Sequence, residues 1–265
     1  MASQQSAKRV TIADVAREAG LSPTTVSHAL NDVGQVNPQT RQRIKDIARR
    51  LNYRPSVRAQ RLRTGRSQAI ALLSSMPPAV SAGDSQLGFF TELAMGCARA
   101  ALLRGYVMVL APPVDRNTSL SLLDIDGAIL LEPAPDDRLA RELQDRRIPY
   151  VTIGDAPGAN DIALHHAQTA HLLLHHLLEC GSRTPGLLLG SSGRESQRAF
   201  ERRYLKLAQE RGFRPALVQV AEEGGAEAAQ QATRQLLQER PELDALCVPI
   251  DTFASGALRA AAACG

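Results

Sequence analysis

The chain has 265 residues, 44% of them hydrophobic and 22% charged, and a formal net charge of +4. This length fits a domain of about sixty residues followed by a larger globular part better than it fits one small domain. The sequence contains no signal peptide and no apolar run of the roughly 18 residues that a membrane span needs, so it predicts a soluble, cytoplasmic protein that does not enter a membrane.

The positive charge is concentrated near the N-terminus. Residues 1–67 contain 13 Lys or Arg and 4 Asp or Glu, whereas the rest of the chain contains 18 basic and 23 acidic residues. This asymmetry favours binding of a phosphate backbone by the N-terminal part and a separate task for the remainder. The alternative, a solvated basic face without a partner, is disfavoured because the same segment also has the pattern of closely spaced short helices.

Three short helices are predicted within residues 1–55. Thr11 is placed to cap the first helix, whose apolar residues recur at helical spacing until Gly20 ends it. Ser22 and the proline after it are typical of the start of a second helix, and Asn37 with its own following proline is typical of a third. Because a short glycine-containing turn joins the first two helices, the pattern predicts a helix-turn-helix.

The second helix has a polar outer face. Its apolar side chains face inward, which leaves small hydrogen-bonding side chains outside at the spacing i, i+3, i+4, i+7. These outer residues are Thr24, Ser27, His28 and Asn31, with Thr25 at the edge. Such a face suits base edges in the major groove of DNA better than it suits a protein partner.

At these residues the chain resembles the DNA-binding headpiece and hinge of LacI-type bacterial transcription regulators, the LacI/GalR family. The matching stretches are TIADVAREAGLSPTTVSHALN, VNPQTRQRI and LNYRPSVRAQRL. The resemblance covers the headpiece almost without gaps and continues more loosely to the end of the chain. It implies a repressor that binds double-stranded, palindromic operator DNA as a homodimer or a tetramer, and that responds to a sugar-like small-molecule effector.

The segment after Pro55 interleaves basic and apolar residues. It is too short to be a stable helix by itself, and its residues alone are equally compatible with a basic linker in which Leu62 packs on the protein. The resemblance implies instead a hinge helix that folds on DNA and inserts Leu62 into the minor groove. The complete set of predicted DNA-binding residues is Thr11, Ile12, Ser22, Pro23, Thr24, Thr25, Ser27, His28, Asn31, Gln35, Asn37, Tyr53, Ser56, Arg58, Ala59, Arg61 and Leu62.

From Ala69 onward, short apolar runs alternate with helical stretches, which predicts parallel sheets covered on both faces. Strands are predicted at 69–74, 106–111, 127–132, 150–154, 186–190, 217–220 and 245–249. Helices are predicted at 86–104, 136–147, 168–180, 195–211, 226–239 and 252–263. The expected fold is therefore an all-α helix-turn-helix headpiece plus an α/β effector domain of the periplasmic-binding-protein type, with two parallel-sheet subdomains. The expected domains are 1–55, a hinge and linker at 56–68, and 69–265, which divides into subdomains at about 157/158.

By resemblance, the effector lies in a cleft between the two subdomains, where strands end. Candidate effector-binding residues are Asp84, Phe89, Phe90, Asp155, Arg198 and Asp251. Each phenylalanine has the alternative of being a core residue, and each of the two later aspartates that of a helix or turn cap. Phe200 stands where family members usually place an anchoring arginine. Arg198 or Arg202 takes over that role in a shifted register, or the ligand differs, or there is none.

Five of the six histidines lie within residues 165–176, and the first two replace an acidic or amide residue of the family. His171 and His175 share a helical face at a spacing that can bind a metal, with Cys180 nearby, but the glutamate of metalloproteases is absent between them. A partly exposed helix face is the favoured interpretation. The turn at 190–193 lacks a hydrolase nucleophile pattern. The sequence thus predicts no metal, no cofactor and no enzyme activity.

Two other interpretations stay open. The chain ends at Gly265, directly after a predicted helix, where family members continue, and residues 115–126 leave little room for the helix expected there. The C-terminal part therefore looks incomplete, and the protein could be a DNA-binding regulator without a functional effector site. The second alternative is a sugar-handling enzyme or ligand carrier with a borrowed headpiece, for which the sequence has no catalytic constellation.

Overall fold

The computed structural model of the chain describes residues 10–54, 65–81, 87–111, 120–155 and 160–264. The chain divides into two compact units, Met1–Arg66 and Ser67–Gly265. The domain limits predicted from the sequence stay predictions, because most of the expected hinge segment lies outside the described ranges. Within these ranges, every helix is too short or too polar to cross a lipid bilayer.

The first unit contains three helices, α1 (Ile12–Ala19), α2 (Pro23–Leu30) and α3 (Pro38–Arg50). Their three starts, and the end of α1 at Gly20, were predicted correctly because short-range signals determine them. The Ser22 hydroxyl accepts the backbone N–H of Thr25 at 3.1 Å, and the Asn37 side chain accepts that of Gln39 at 2.9 Å. Gly20 ends α1 in the left-handed region, with φ 66°, which glycine adopts without strain.

A small shared core holds these helices together. Its buried residues are Val15, Ala16, Ala19, Val26, Ala29, Ile44, Ile47 and Ala48. Helices of eight residues are not stable alone in water, so the apolar faces that meet in this core supply their stability. The core fixes α2 with its opposite, polar face outward, as the sequence pattern predicted.

The second unit contains two parallel sheets, and all of the described strand pairings are parallel. The first sheet has the order β2-β1-β3-β4-β5 and the second the order β7-β6-β8. The strands are β1 (Ala69–Ser74), β2 (Val107–Leu110), β3 (Gly127–Leu131), β4 (Tyr150–Ile153), β5 (Asp161–Ile162), β6 (Pro185–Gly190), β7 (Leu217–Val220) and β8 (Ala245–Cys247).

Helices follow most of these strands. They are α4 (Pro78–Ser81), α5 (Leu87–Leu102), α6 (Arg138–Asp145), α7 (His166–Glu179), α8 (Glu195–Arg211), α9 (Gly225–Glu239) and α10 (Asp251–Cys264), with short 3-10 helices at Leu120–Leu122 and Glu222–Gly224. The central strand of the second sheet is fully buried from Pro185 to Gly190, as expected for a sheet covered on both faces. The predicted α/β class is confirmed.

The sequence missed the shortest elements. Strand β5 has two residues and pairs with β4, so the first sheet continues a few residues beyond the predicted subdomain limit at 157. The helix α4 has four residues, too few for an apolar period to show. Seven longer strands and six helices were predicted within about two residues of their bounds because their apolar runs are long and bounded by turns.

Candidate functional site

The outer face of α2 has the polar character that the sequence predicted, with graded exposure. Thr24 and His28 are exposed, whereas Thr25, Ser27 and Asn31 are half-buried. The Asn31 amide donates to the Ser27 carbonyl oxygen at 2.8 Å and so closes the end of the helix. The two exposed side chains are therefore the ones best placed to reach another molecule.

The loop after α2 passes close to the His28 ring. A Cβ atom added at Gly34 would lie only 2.8 Å from Nδ1 of His28, and Gly34 has φ 70°. Only glycine fits this position without a shift of the ring or strain in the backbone. Gln35 and Asn37, the next predicted contact residues, are exposed. The loop thus supports the His28 ring and extends the polar surface.

Several cations of the first unit have ion-pair partners within it. Arg41 and Lys45 each contact Asp32 at 2.8 Å, and their hydrogen bonds lower the pKa of that carboxyl group. Arg50 contacts Glu18 at 2.6 Å. These exposed pairs each contribute little stability. They order the loop and helix around α2, and they leave the surface with an excess of positive charge.

The other predicted DNA-binding residues divide into two groups. Ile12 and Tyr53 are half-buried and pack against the core of the first unit, so they support the surface as well as edge it. Ser22 and Pro23 are exposed at the start of α2, and Thr11 is exposed ahead of α1. The predicted hinge residues lie outside the described residues: Ser56, Arg58, Ala59, Arg61 and Leu62.

The second unit contains a cleft lined by residues that follow strands of both sheets. Its cavity has a volume of about 210 Å³. Four charged or titratable residues line it: Glu132 after β3, His166 at the start of α7, Arg194 directly before α8, and Glu222 after β7. Parallel strands bring their carboxyl ends to one edge, which explains why residues so distant in sequence meet here.

Arg194 connects the two sheets. Its Nη1 donates to the Glu132 carbonyl oxygen at 3.2 Å and its Nη2 to the Ser75 carbonyl oxygen at 3.1 Å, both on the first sheet's side. Its Nε lies 3.7 Å from Oε2 of Glu222, and the two side chains are 5% and 4% exposed. The guanidinium is therefore a buried link between the walls of the cleft.

Glu222 is held tightly against the end of β6. Its Oε1 accepts the Ser192 hydroxyl at 2.5 Å. A Cβ atom at Gly190 would lie 2.4 Å from the same oxygen, so this close approach requires glycine. The Gly190 turn, which the sequence did not favour as a nucleophile, thus serves to seat a carboxylate beside Arg194.

On the opposite wall, Nε2 of His166 lies 2.7 Å from Oε1 of Glu132. Burial disfavours the imidazolium, but the adjacent Glu132 carboxylate outweighs it, and the pKa of His166 is raised. Asp155 accepts the backbone N–H groups of His165 at 3.1 Å and His166 at 2.6 Å. Burial opposes the charged form of Asp155, yet these N–H groups lower its pKa overall.

The predicted effector residues are placed differently from one another. Phe89 lines the cleft and is 47% exposed, and Phe90 is half-buried, with its ring centroid 6.0 Å from that of Phe89. Asp155 caps the start of α7, which favours the cap interpretation. Asp251 and Arg198 are exposed, and the described guanidinium that lines the cleft is that of Arg194. Asp84 lies outside the described residues.

The sequence analysis did not identify Glu132, Arg194 or Glu222 as site residues, and it noted His166 only as a departure from the family. One usable signal was present: Glu132 ends one predicted strand and Glu222 lies two residues after another, close to the rule that selected Asp155 and Asp251. Arg194 had no such signal, because three residues separate it from the end of β6. Phe200 is 3% exposed and lines the cleft, so the family's arginine position is apolar here.

An arginine side chain contacts both histidines of the pair on α7. Nε of Arg203 donates to Nδ1 of His171 at 3.3 Å, and Nη2 lies 2.5 Å from Nε2 of His175. Burial and the neighbouring positive groups lower the pKa of His175. A guanidinium at the ring nitrogens opposes a second cation, and no group of three metal-binding side chains occurs in the part of the chain that the structure describes.

Two family models match the chain. Residues 11–56 match the bacterial regulatory proteins of the lacI family, and residues 174–265 match the periplasmic binding protein-like domain. An HTH-type transcriptional regulator of Mycolicibacterium smegmatis is 32% identical over 197 residues, which are 71% of this chain and 53% of that protein. The HTH-type transcriptional repressor PurR of Edwardsiella ictaluri is 26% identical over 95% of this chain and 75% of its own length. The chain thus spans about half the length of the first relative.

Among solved structures, the lac repressor dimer bound to operator and the anti-inducer ONPF is similar, with a TM-score of 0.72 and 26% identity over 97% of this chain and 79% of the other. The chain carries a LacI helix-turn-helix domain and a periplasmic-binding-protein-like domain, and its homologues are LacI-family regulators. This confirms the resemblance seen in the sequence. The matched relatives are transcription regulators and not enzymes, in agreement with the expectation of no enzyme activity.

Proposed function

We propose that the protein is a transcription regulator, acting as a repressor, that binds a palindromic operator as a homodimer and is modulated by a sugar-like effector. It would act in the cytoplasm, on the nucleoid. The observation that carries the proposal is the exposed polar face of α2. The buried core of the first unit holds this face outward, and the segment that contains the helix is strongly basic. Hydrogen-bonding side chains on a helix of this kind can read base edges, while nearby cations bind phosphates.

In this proposal, Thr24 and His28 read bases because they are the exposed hydrogen-bonding side chains of α2. Ser22, Gln35 and Asn37 flank them and position the helix through polar contacts with the DNA backbone. Arg58 and Arg61 of the hinge bind phosphates, and Leu62 enters the minor groove. The similar structure of the lac repressor dimer is bound to operator, which supports DNA binding by this chain.

An apolar surface supports the proposed dimer. Met95 and Leu102 on α5 and Leu103 directly after it are 67%, 71% and 77% exposed, and the adjacent edge strand β2 exposes Val107 and Leu110. Apolar groups that share one helix and an unpaired sheet edge are typical of a protein interface. A two-fold dimer uses the same patch on both copies, so this surface is self-complementary in the proposal. A palindromic site has the matching symmetry.

Selection of bound DNA from a random pool tests the proposal directly. We expect a palindrome with two half-sites, and enrichment of no sequence would contradict it.

His28→Ala should alter the preferred bases, because the ring reads a base edge. Arg58→Ala should instead weaken binding to all sequences. It should also reduce the slope of log affinity against log salt concentration by about one. An equal loss on every operator for His28→Ala would remove its reading role.

The dimer is tested by the mass of the protein in solution. Leu102→Glu should give a monomer, because burying an unpaired charge at an interface costs roughly several kcal/mol. The monomer should bind an operator with two half-sites much more weakly than the dimer. Leu172→Glu is the matched control, since Leu172 is also exposed, at 58%, but lies on α7 beside the second sheet. A dimer that persists in Leu102→Glu would place the interface elsewhere.

A further inference from the structure

The chain enters the second unit through residues that a carboxylate holds in place. Asp126, directly before β3, accepts hydrogen bonds from two residues that directly precede β1. Its Oδ1 accepts the Ser67 backbone N–H at 2.8 Å and the Ser67 hydroxyl at 3.0 Å, and its Oδ2 accepts the Gln68 N–H at 2.8 Å. The Ser67 hydroxyl oxygen in turn accepts the Ala69 N–H at 3.2 Å. We call the set of Asp126, Ser67 and Gln68 the entry clamp.

Burial changes sharply at the entry clamp. Gly65 and Arg66 are exposed, whereas Ser67 is 3% exposed. The second compact unit also begins at Ser67. The Gln68 carbonyl oxygen accepts the Val107 N–H of β2 at 2.9 Å, so this short stretch is tied to the elements on both sides of β1. The entry clamp is therefore the fixed end of the connection that comes from the first unit.

The entry clamp holds a backbone conformation that is unfavourable by itself. Gln68 has φ 51°, in the left-handed region that residues with a Cβ atom rarely adopt. Such a conformation persists where the surrounding contacts determine it. The hydrogen bonds of the Gln68 N–H to Asp126 and of the Gln68 carbonyl to β2 supply these contacts. The chain therefore turns into β1 in one defined direction.

The chemistry of the entry clamp suits a carboxylate and not an amide. Three donors use both side-chain oxygens of Asp126. An ionised carboxylate accepts hydrogen bonds at both oxygens, whereas an amide has one acceptor atom and one donor atom. In Asp126→Asn a side-chain N–H group therefore faces a backbone N–H of the clamp, while the size of the side chain is kept. This substitution loosens the clamp and changes little else.

We infer that Asp126 is a positioning residue for operator binding, because the entry clamp fixes the point and direction in which the chain leaves the second unit toward the DNA-binding unit. The inference deepens the proposed function and rests on it. In the proposed dimer, two fixed exits restrict the separation of the two DNA-binding units. A restricted connection raises the effective concentration of the second DNA-binding unit at its half-site, whereas a looser one admits more separations at lower affinity.

The experiment measures binding of the full 265-residue chain to three DNA duplexes. These are the palindrome obtained by selection, the same palindrome with one base pair inserted at its centre, and a single half-site. The wild type should prefer the selected spacing. Asp126→Asn should weaken binding to the palindrome by about three- to tenfold and narrow the preference over the inserted duplex, with half-site affinity unchanged. Asp124→Asn, an exposed position in the same loop, is the matched control and should behave as the wild type.

Gln68→Gly tests the same joint without removing a hydrogen bond of the entry clamp. Glycine keeps the backbone N–H and carbonyl group and adopts φ 51° without strain, so the fold is not impaired. Glycine also allows other conformations at this position, which loosens the turn into β1. The preference for the selected spacing should therefore narrow in a protein that unfolds at a temperature close to that of the wild type.

An undiminished spacing preference in both folded variants would overturn the inference. Equal losses on the palindrome and the half-site would also overturn it, because they indicate damage to DNA contacts and not to positioning. Conversion of Asp126→Asn to a monomer would do the same, since the loss would then lie in assembly. A wild type that does not bind the palindrome is a separate result, which contradicts the proposed function itself and removes the inference with it.

Discussion

The two units hold their polar side chains in different ways. In the first unit, the functional side chains are exposed or half-buried and their hydrogen bonds are local, such as Ser22 with Thr25 and Asn31 with Ser27. In the cleft of the second unit they are buried, and their contacts join residues far apart in sequence, such as Arg194 with Ser75. Exposed local contacts are weak individually, whereas buried long-range ones are strongly coupled to folding. Substitutions should therefore affect recognition in the first unit and stability in the second.

The largest expected effect is that of Arg194→Ala. It leaves Glu222 buried without its cation and removes the link to the backbone of Glu132 and Ser75. Removing one partner of a buried pair costs about 3–5 kcal/mol. Chemical denaturation of the second unit should show this loss of the free energy of unfolding.

The control for Arg194→Ala is Arg202→Ala, which breaks an exposed contact with Glu195 on the same helix. That change should cost at most about 1 kcal/mol. Equal effects of the two substitutions would remove the contrast between buried and exposed pairs, and would mean that Arg194 is better solvated than the structure shows.

The same contrast explains what the sequence could predict. The caps of α1 to α3 and the polar face of α2 depend on residues within seven positions of each other, so periodicity and capping rules found them. The fold class followed from apolar runs for the same reason. Arg194 meets Ser75 across 119 positions, and only the packing of two sheets brings them together. For Asp155, the sequence offered both a ligand contact and a helix cap, and only the folded structure shows that its carboxylate accepts the N–H groups of His165 and His166.

A smaller effect is expected for Ser22→Ala in the first unit. The Ser22 hydroxyl accepts the Thr25 N–H at the start of α2, and loss of such a cap costs about 1 kcal/mol. Thr24→Ala, at the adjacent exposed position, should change stability by less than about 0.5 kcal/mol. In operator binding we expect the opposite order: Thr24→Ala should change the base preference more than Ser22→Ala does, since the Thr24 side chain faces outward. A stability loss in Thr24→Ala as large as in Ser22→Ala would contradict the separation of cap and reading residue.

The smallest effect concerns pH and the pair of His166 with Glu132. Because the pKa of His166 is raised in the folded protein, its contribution to stability is complete below its ordinary value of about 6.5 and is lost as the pH rises through the raised value. The free energy of unfolding should therefore fall more in the wild type than in His166→Gln as the pH rises above about 6.5. His175 has a lowered pKa and contributes with the opposite sign, but it is present in both proteins and cancels in the difference.

Glu132→Gln separates the two possible sources of that pH dependence. It removes the carboxylate that does most to raise the pKa of His166 and leaves burial, which lowers that pKa, opposed by Asp155 and Glu195. The fall in stability with rising pH that comes from His166 should therefore become smaller. If Glu132→Gln instead kept the wild-type pH dependence, the titrating group would lie elsewhere in the second unit. The cleft would then resemble the first unit, with polar groups that neighbour one another without strong coupling, and the contrast between the two regions would rest on Arg194 alone.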